Sequence, residues 1–276
     1  VLVASNVTGG TYTATNLSVG EHCFSVRAVC NDDSESLAAQ QCVTIESNLP
    51  RYNVTVNAGN GGSVTPNGEQ TVYEGNDFTF TVAPNECYEI ASVTVDGNNV
   101  SLNANNSYTI SNVTADHTVN VTFNQITYTI MASAENGGTI TPEGNTIVNC
   151  GENQSYTIAA NNGYRILDVV VDGQSVGAVE SYSFDNVTAN HNISATFIAV
   201  LNIDINADAE GGSVTPTGTQ TLDEGESFTF TVTPDNCYEI GNVTVNGVAV
   251  TLDANNSYTI NNVTADQNIN VTFNPI

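Results

Sequence analysis

Apolar residues at every second position are the dominant pattern of this chain. Val54 and Val56 alternate with polar residues, and Phe78, Phe80 and Val82 form a second row of the same kind. Because successive side chains of a β-strand point to opposite faces, this spacing places the apolar residues on one face of short strands. No stretch shows a sustained helical spacing of apolar residues. The pattern therefore predicts an all-β protein.

The pattern recurs because the sequence repeats itself. Residues 61–124 superimpose on residues 211–274 without a gap, with 44 identities in 64 positions. A middle copy spans about residues 128–197 and is shorter by two residues, both missing from one loop. A deletion inside a strand would turn inward side chains outward, so a length change confined to a loop indicates a shared fold. The sequence thus predicts three copies of one module.

These copies set the predicted domain boundaries. Their connectors, residues 125–127 and roughly 198–202, are too short and too apolar to be free linkers. We therefore expect small β-rich modules, sandwich-like or β-grasp-like, stacked in an elongated rod. The predicted division is a separate N-terminal part, residues 1–49, followed by residues 50–125 (repeat 1), 126–200 (repeat 2) and 201–276 (repeat 3).

A two-residue turn recurs at the same place in each repeat. Asp-Gly and Asn-Gly readily adopt the positive φ angles of a type I′ turn, which joins two antiparallel strands tightly. The sequence therefore predicts a structural hairpin turn at Asp96-Gly97, Asp172-Gly173 and Asn246-Gly247.

The N-terminal part has its own pattern. Residues 11–17, 22–30 and 42–45 are predicted strands, with Phe24 and Val26 on one face. Residues 11–30 resemble the last three strands of a fibronectin type III domain, although His22 stands where that family usually has tyrosine. The resemblance implies a partial fibronectin type III sandwich at the N-terminus.

Net charge excludes several classes of partner. The chain has 29 acidic residues against three arginines (Arg27, Arg51, Arg165), a formal net charge of -26. Nucleic acids and anionic membrane surfaces attract clustered Lys and Arg, which this chain lacks. No apolar run is long enough for membrane insertion. Self-association and binding to a host or cell-surface protein or glycan stay open.

Three motifs recur in the first and third repeats. They are Gly-Gly-Ser-Val-Thr-Pro at 61–66 and 211–216, Cys-Tyr-Glu-Ile at 87–90 and 237–240, and Asn-Val-Thr-Ala-Asp at 112–116 and 262–266. Through these motifs, residues 52–274 resemble the divergent relatives of the internalin B-repeat, a tandem module of bacterial surface proteins. The combination with a fibronectin-like part is similar to large exported proteins of the Bacteroidetes. The resemblance implies a secreted or cell-surface location and no catalytic residues.

We therefore expect a non-catalytic extracellular segment, a stalk or surface adhesin, within a larger secreted bacterial protein whose other domains are its first partners. One alternative is a subunit of an extracellular filament assembled through the β modules. A second alternative is a carbohydrate-binding accessory region of a secreted enzyme.

Candidate catalytic residues fail a comparison between the repeats. His117 and His191 share a position that is Gln267 in repeat 3, and Glu89 and Glu239 share one that is Arg165 in repeat 2. A reaction common to the repeats cannot need groups that one copy lacks. We expect no catalytic site and no resident cofactor. Calcium stays open, because bound cations would relieve the self-repulsion of so acidic a chain.

The six cysteines indicate disulfides, since they form no CxxC pair or zinc-ligand cluster. Cys30 and Cys42 flank an acidic loop, and their pairing is the first expectation. Cys87 with Cys150 would connect adjacent repeats, although unpaired thiols are an open alternative there. Cys23 and Cys237 have no evident partner in the sequence.

Overall fold

Strands supply the regular secondary structure of the computed structural model, which describes residues 13–30, 34–45 and 49–276. No helix occurs among these residues, so none there is long and apolar enough to cross a membrane. The prediction of an all-β fold is confirmed.

The strands are given repeat by repeat. The N-terminal part contains β1 (Gly20–Val26) and β2 (Ala39–Ile45). Repeat 1 contains β3 (Arg51–Ala58), β4 (Gly62–Thr65), β5 (Gly68–Tyr73), β6 (Phe78–Pro84), β7 (Tyr88–Val95), β8 (Asn98–Asn99), β9 (Ser107–Ile110) and β10 (His117–Gln125). Repeat 2 contains β11 (Thr127–Ala134), β12 (Gly138–Thr141), β13 (Gly144–Asn149), β14 (Gln154–Ala160), β15 (Tyr164–Val171), β16 (Gln174–Gly177), β17 (Ser181–Phe184) and the start of β18 (His191–Ala207). Repeat 3 contains the rest of β18, then β19 (Gly212–Thr215), β20 (Gly218–Asp223), β21 (Phe228–Pro234), β22 (Tyr238–Val245), β23 (Val248–Ala249), β24 (Ser257–Ile260) and β25 (Gln267–Pro275).

Each repeat is a sandwich of two sheets. In repeat 1 the larger sheet has the order β5-β3-β10-β7-β8 and the smaller one β4-β6-β9. β3 and β10 are parallel, with Val56 opposite Val119, and β4, β6 and β9 pair antiparallel. Val56, Phe80 and Val119 are buried in one cluster that draws on both sheets. The sandwich-like topology is therefore the one that the repeat adopts.

The other repeats build the same core from the same positions. Phe80 corresponds to Tyr156 and Phe230, and all three side chains are fully buried. The period-two spacing of the sequence explains this burial, because every second residue of these strands faces inward. The side chains that the pattern marked as apolar are thus used in packing.

A glycine at the start of a short strand lets each sandwich close. A Cβ on Gly62, Gly138 or Gly212 would lie 2.2 to 2.3 Å from the ring of Phe123, Phe197 or Phe273. No larger residue fits there without displacing the ring. The second glycine of the Gly-Gly motif is therefore a packing residue.

The N-terminal part departs from its prediction. β1 and β2 form a two-stranded antiparallel sheet, with Cys23 opposite Cys42. The prediction of a strand over residues 11–17 is wrong for residues 13–17, which have no strand partner among the described residues. Residues 11–12 lie outside the described residues, as do 31–33 of the acidic loop. The fibronectin type III assignment stays a prediction.

The chain divides into two compact units. One consists of Val1–Asn85 and Ile90–Phe123, and the other of Glu86–Glu89 and Asn124–Ile276. In the second unit, β18 contributes to repeats 2 and 3 within one nine-stranded sheet. Its first half pairs with β11 and β15, and its second half with β20 and β25. No residue between residues 191 and 207 leaves the strand, so the predicted connector at residues 198–202 is itself strand.

Candidate functional site: the junctions between repeats

The disulfide of the N-terminal part is not the expected one. Cys23 and Cys42 are bonded, with an S–S distance of 1.99 Å, and Cys30 is an exposed free thiol. The expected Cys30–Cys42 pair is therefore wrong. The register of β1 and β2 is the reason, because it places Cys42 opposite Cys23, while Cys30 lies beyond the end of β1. The sequence had favoured Cys30 because it and Cys42 flank the acidic loop.

The Cys87–Cys150 pair lies at the first junction, within the second unit. The two sulfur atoms are 2.03 Å apart, the pairing that the sequence suggested. Cys87 directly precedes β7, and Cys150 directly follows β13. Two main-chain hydrogen bonds run through Ile126 between them: Ile126 N–H donates to the Cys87 carbonyl, and Cys150 N–H donates to the Ile126 carbonyl, both at 2.9 Å. The bond therefore sits on a backbone framework that holds both cysteines.

The second junction makes two similar main-chain hydrogen bonds, through two adjacent residues instead of one, and replaces the disulfide. Val200 N–H donates to the Gly163 carbonyl at 2.8 Å, and Glu224 N–H donates to the Ala199 carbonyl at 2.9 Å. Gly163 and Glu224 occupy the positions of Cys87 and Cys150. The main chain thus makes a similar junction without the cysteines, with its two hydrogen bonds divided between Ala199 and Val200.

An ion pair takes the place of the disulfide at the second junction. Arg165 Nε donates to Asp223 Oδ1 at 2.7 Å, and Arg165 Nη2 donates to Asp223 Oδ2. The hydrogen bond from Arg165 is the main cause that lowers the pKa of Asp223, and the carboxylate in turn raises the pKa of Arg165. A two-pronged Arg-carboxylate pair is also directional, so it specifies which residues meet. The sequence had marked Arg165 as exceptional but had not identified Asp223.

At the predicted turns of repeats 1 and 2, an aspartate side chain contacts the neighbouring strand. Asp96 and Gly97 both have positive φ, at 53° and 79°, as a type I′ turn requires, and Asp172-Gly173 and Asn246-Gly247 do the same. Asp96 Oδ1 accepts the Thr118 N–H at 2.8 Å, and Asp96 Oδ2 lies 2.6 Å from His117 Nδ1.

Repeat 2 repeats this geometry with Asp172 and His191, and repeat 3 replaces the pair with amides. Asp172 Oδ2 lies 2.7 Å from His191 Nδ1. In repeat 3, Asn246 donates to Gln267 Oε1 at 2.7 Å and accepts the Asn268 N–H at 2.9 Å. Because neutral amides make the same two contacts, the histidine and aspartate serve here to hold the turn against the neighbouring strand, β10 or β18, a role that requires no proton transfer.

Two surface depressions do not gather paired acids. One in repeat 2 contains a single carboxylate, Glu180, and one in repeat 1 contains none. A group of three metal-ligand residue types, Glu21, Cys23 and Cys42, includes both sulfur atoms of a disulfide. Calcium binding stays a prediction.

Each of the three repeats matches the model of a known domain family. Residues 52–127, 128–200 and 202–276 each match the divergent InlB B-repeat domain, which accounts for about four fifths of the chain. The chain belongs to this family. The resemblance drawn from the repeat motifs is confirmed for the three B-repeats. A search of curated proteins found no match to the chain.

Solved structures with similarity to the B-repeat chain are remote. The pilus adhesin SpaC of Lactobacillus rhamnosus GG is 10% identical, with 87% of this chain and 45% of that chain covered and a TM-score of 0.19. The chain thus spans less than half the length of SpaC. The major pilin BcpA of Bacillus cereus is 10% identical, with 80% and 99% covered and a TM-score of 0.23. The I9–I11 tandem of titin is 10% identical, with 81% and 97% covered and a TM-score of 0.13. TM-scores this low carry no argument about function.

Proposed function

We propose that this chain is a non-catalytic structural or adhesive segment of a larger secreted or surface-displayed bacterial protein. Its B-repeats serve as linked load-bearing units. The observation that carries the proposal is the coupling of successive repeats. A disulfide connects Cys87 to Cys150, and repeats 2 and 3 share the single strand β18. Coupling of this kind suits a segment that transmits tension or holds a neighbouring domain in place.

The disulfide would change the path of tension along the chain. A pull on the two ends passes from the Cys87 sulfur directly to the Cys150 sulfur, so residues 88–149 carry no load while the bond is intact. These residues comprise β7–β10 of repeat 1 and β11–β13 of repeat 2. An oxidising environment outside the cell would preserve such a bond.

Single-molecule pulling on the full chain tests this proposal. We expect separate force peaks from cooperative unfolding of the repeats, because each has its own core. Reduction should then release about 220 Å of contour length from the 63-residue Cys87–Cys150 separation, and about 70 Å from the 19-residue Cys23–Cys42 separation, at about 3.5 Å per residue. The matched control is Cys87→Ser with Cys150→Ser, which should show the 220 Å part without reductant. Extension without force peaks, or substrate turnover by the purified chain, would contradict the proposed function.

Filament assembly is the second candidate, and the N-terminal sheet supports it. Among the described residues β1 pairs only with β2, and Val26 and Val43 are 70% and 46% exposed. A two-stranded sheet is marginally stable alone, so an added strand from another copy would stabilise it. Sedimentation velocity over a concentration series distinguishes the candidates. Regular growth into fibres supports assembly, and a monomer at all concentrations excludes it.

A further inference from the structure

Cys237 of repeat 3 has the same backbone environment as Cys87 of repeat 1. Their φ angles are 70° and 66°. The Cys237 carbonyl accepts the Ile276 N–H at 2.9 Å, as the Cys87 carbonyl accepts the Ile126 N–H at 2.9 Å. Both cysteines open the motif Cys-Tyr-Glu-Ile. Cys87 is bonded to Cys150, whereas the thiol of Cys237 is exposed and free.

The way in which Cys150 reaches Cys87 indicates which residue could bond Cys237 at the end of repeat 3. Cys150 reaches Cys87 because its own N–H donates to the carbonyl of Ile126, the residue that links the two repeats. Ile276 corresponds to Ile126 in this framework. In the geometry of the first junction, its carbonyl is the equivalent acceptor for the N–H of an incoming residue.

Charge narrows the choice of partner. Arg165 meets Asp223 at the second junction, but repeat 3 carries Glu239 at the position of Arg165. Repeat 1 likewise carries Glu89, and the residue of repeat 2 that occupies the position of Asp223 is Asn149. An aspartate opposite Glu239 would place two like charges together. The end of repeat 3 therefore matches a neighbour of the repeat 2 type.

We propose that the Cys237 end of repeat 3 is a docking site for a further B-repeat joined in tandem to Ile276. That repeat carries cysteine at the position of Cys150 and an uncharged residue at the position of Asn149. The inference goes beyond the proposed function, because it specifies which repeat can follow whether or not the chain bears load.

Bond formation consumes two thiols and one oxidant of the disulfide class. The Cys237 thiolate attacks oxidised glutathione, which forms a mixed disulfide and releases one reduced glutathione. The thiolate of the incoming cysteine then attacks the Cys237 sulfur and releases the second glutathione. Two thiols and one oxidised glutathione thus give one protein disulfide and two reduced glutathiones.

The test extends the full chain with a second copy of residues 127–200 placed directly after Ile276. In a glutathione redox buffer we expect the added copy of Cys150 to bond Cys237, with alkylation of Cys237 reduced about ten-fold relative to the unextended chain. Peptide mapping identifies the pair, and the native Cys87–Cys150 bond in the same molecule reports correct folding. An added copy with Asn149→Asp should lower the equilibrium constant for bond formation about two- to five-fold, and Glu239→Arg should restore it.

A second variant keeps the test independent of whether the added copy folds. Gly163→Cys with Glu224→Cys places cysteines at the equivalent positions of the second junction. A Cβ at Gly163 would meet no atom within 4 Å, and the positive φ of 82° there is a strain of the kind that Cys87 also bears at 66°. This pair should oxidise within the natural chain. Failure of either pair to form in a folded chain would overturn the proposal, as would disulfide-linked dimers through Cys237.

Discussion

Arg165 donates two hydrogen bonds to the carboxylate of Asp223 at a position where repeats 1 and 3 carry glutamate. The Asp223 side chain is 18% exposed and that of Arg165 is 48% exposed. The ion pair is therefore partly shielded on the acid side, and it replaces the disulfide of the first junction. The two junctions have similar main-chain hydrogen bonds and differ in the side-chain chemistry that joins them.

A second substitution at Asp223 should compensate the loss of stability caused by replacing Arg165. Arg165→Glu alone places a second carboxylate beside Asp223 and should lower the melting temperature of repeats 2 and 3. Adding Asp223→Asn recreates the Glu-Asn combination of the first junction and should recover most of the loss. Thermal unfolding at low salt measures the coupling. Equal melting temperatures for the single and double variants would contradict it.

The same pair predicts an acid dependence. Because the hydrogen bond from Arg165 lowers the pKa of Asp223, its stabilisation is present above the unfolded-state pKa of about 3.9 and is lost as pH falls through the lower folded-state value. Asp223→Asn should remove this part of the acid transition, as measured by unfolding between pH 5 and pH 2. An unchanged pH profile would show that the pair does not contribute.

The hairpin turns of repeats 1 and 2 should be more sensitive to acid than that of repeat 3. The Thr118 N–H chiefly lowers the pKa of Asp96, with a further contribution from His117. Burial raises the pKa of Asp172, but the Asn192 N–H and His191 outweigh it, so the net direction is also down.

Stability from these aspartates is therefore lost below about pH 3.9, whereas the neutral Asn246 keeps its contacts. Since Asp96 is 45% exposed, Asp96→Asn should change stability at pH 7 by less than about 1 kcal/mol. It should also make the Asp96 turn insensitive to acid in amide hydrogen exchange. Asn246→Asp is the matched control and should introduce acid sensitivity in repeat 3.

Tyr156 predicts a stabilising substitution. Its side chain is 1% exposed, and its hydroxyl has no hydrogen-bond partner among the described residues. Tyr156→Phe should raise the free energy of unfolding by about 1–3 kcal/mol, because it removes a buried unpaired polar group. Phe80→Tyr, at the matching position of repeat 1, should have the opposite effect. Chemical denaturation measures both, and a loss of stability in Tyr156→Phe would mean that the hydroxyl is satisfied.

At Gly138 we expect a substitution to be destabilising. A Cβ there would lie 2.2 Å from the Phe197 ring and 2.6 Å from the Ala159 carbonyl oxygen. Gly138→Ala should therefore lower stability by about 1–3 kcal/mol through overpacking. Gly173→Ala is the control, since its Cβ would meet open space and the cost is that of a positive φ alone, about 1 kcal/mol. A smaller loss at Gly138 than at Gly173 would contradict the packing argument.

The disulfide arrangement gives a direct chemical prediction. Digestion without reduction should yield one peptide pair that links Cys23 to Cys42 and another that links Cys87 to Cys150. Cys30 and Cys237 should react with an alkylating reagent before reduction. Recovery of a Cys30–Cys42 peptide would show that the register of β1 and β2 differs from the one described.

Period-two alternation and internal repetition were sufficient to predict the all-β class and the repeated core, because inward side chains must be apolar in every copy. Val56 and Phe80 are buried where the pattern placed them. The Asp-Gly turns were equally local, since two residues with positive φ define them. These properties depend on neighbours in the sequence, which a single chain displays directly.

Tertiary structure decided which distant residues meet. Strand register selected Cys23 over Cys30 as the partner of Cys42, since a cross-strand pair depends on alignment and not on sequence separation. The continuity of β18 brought Arg165 to Asp223, 58 residues away, which no local pattern encodes. Side-chain identity set the chemistry available at each junction, and the folded backbone determined which of those side chains could reach one another.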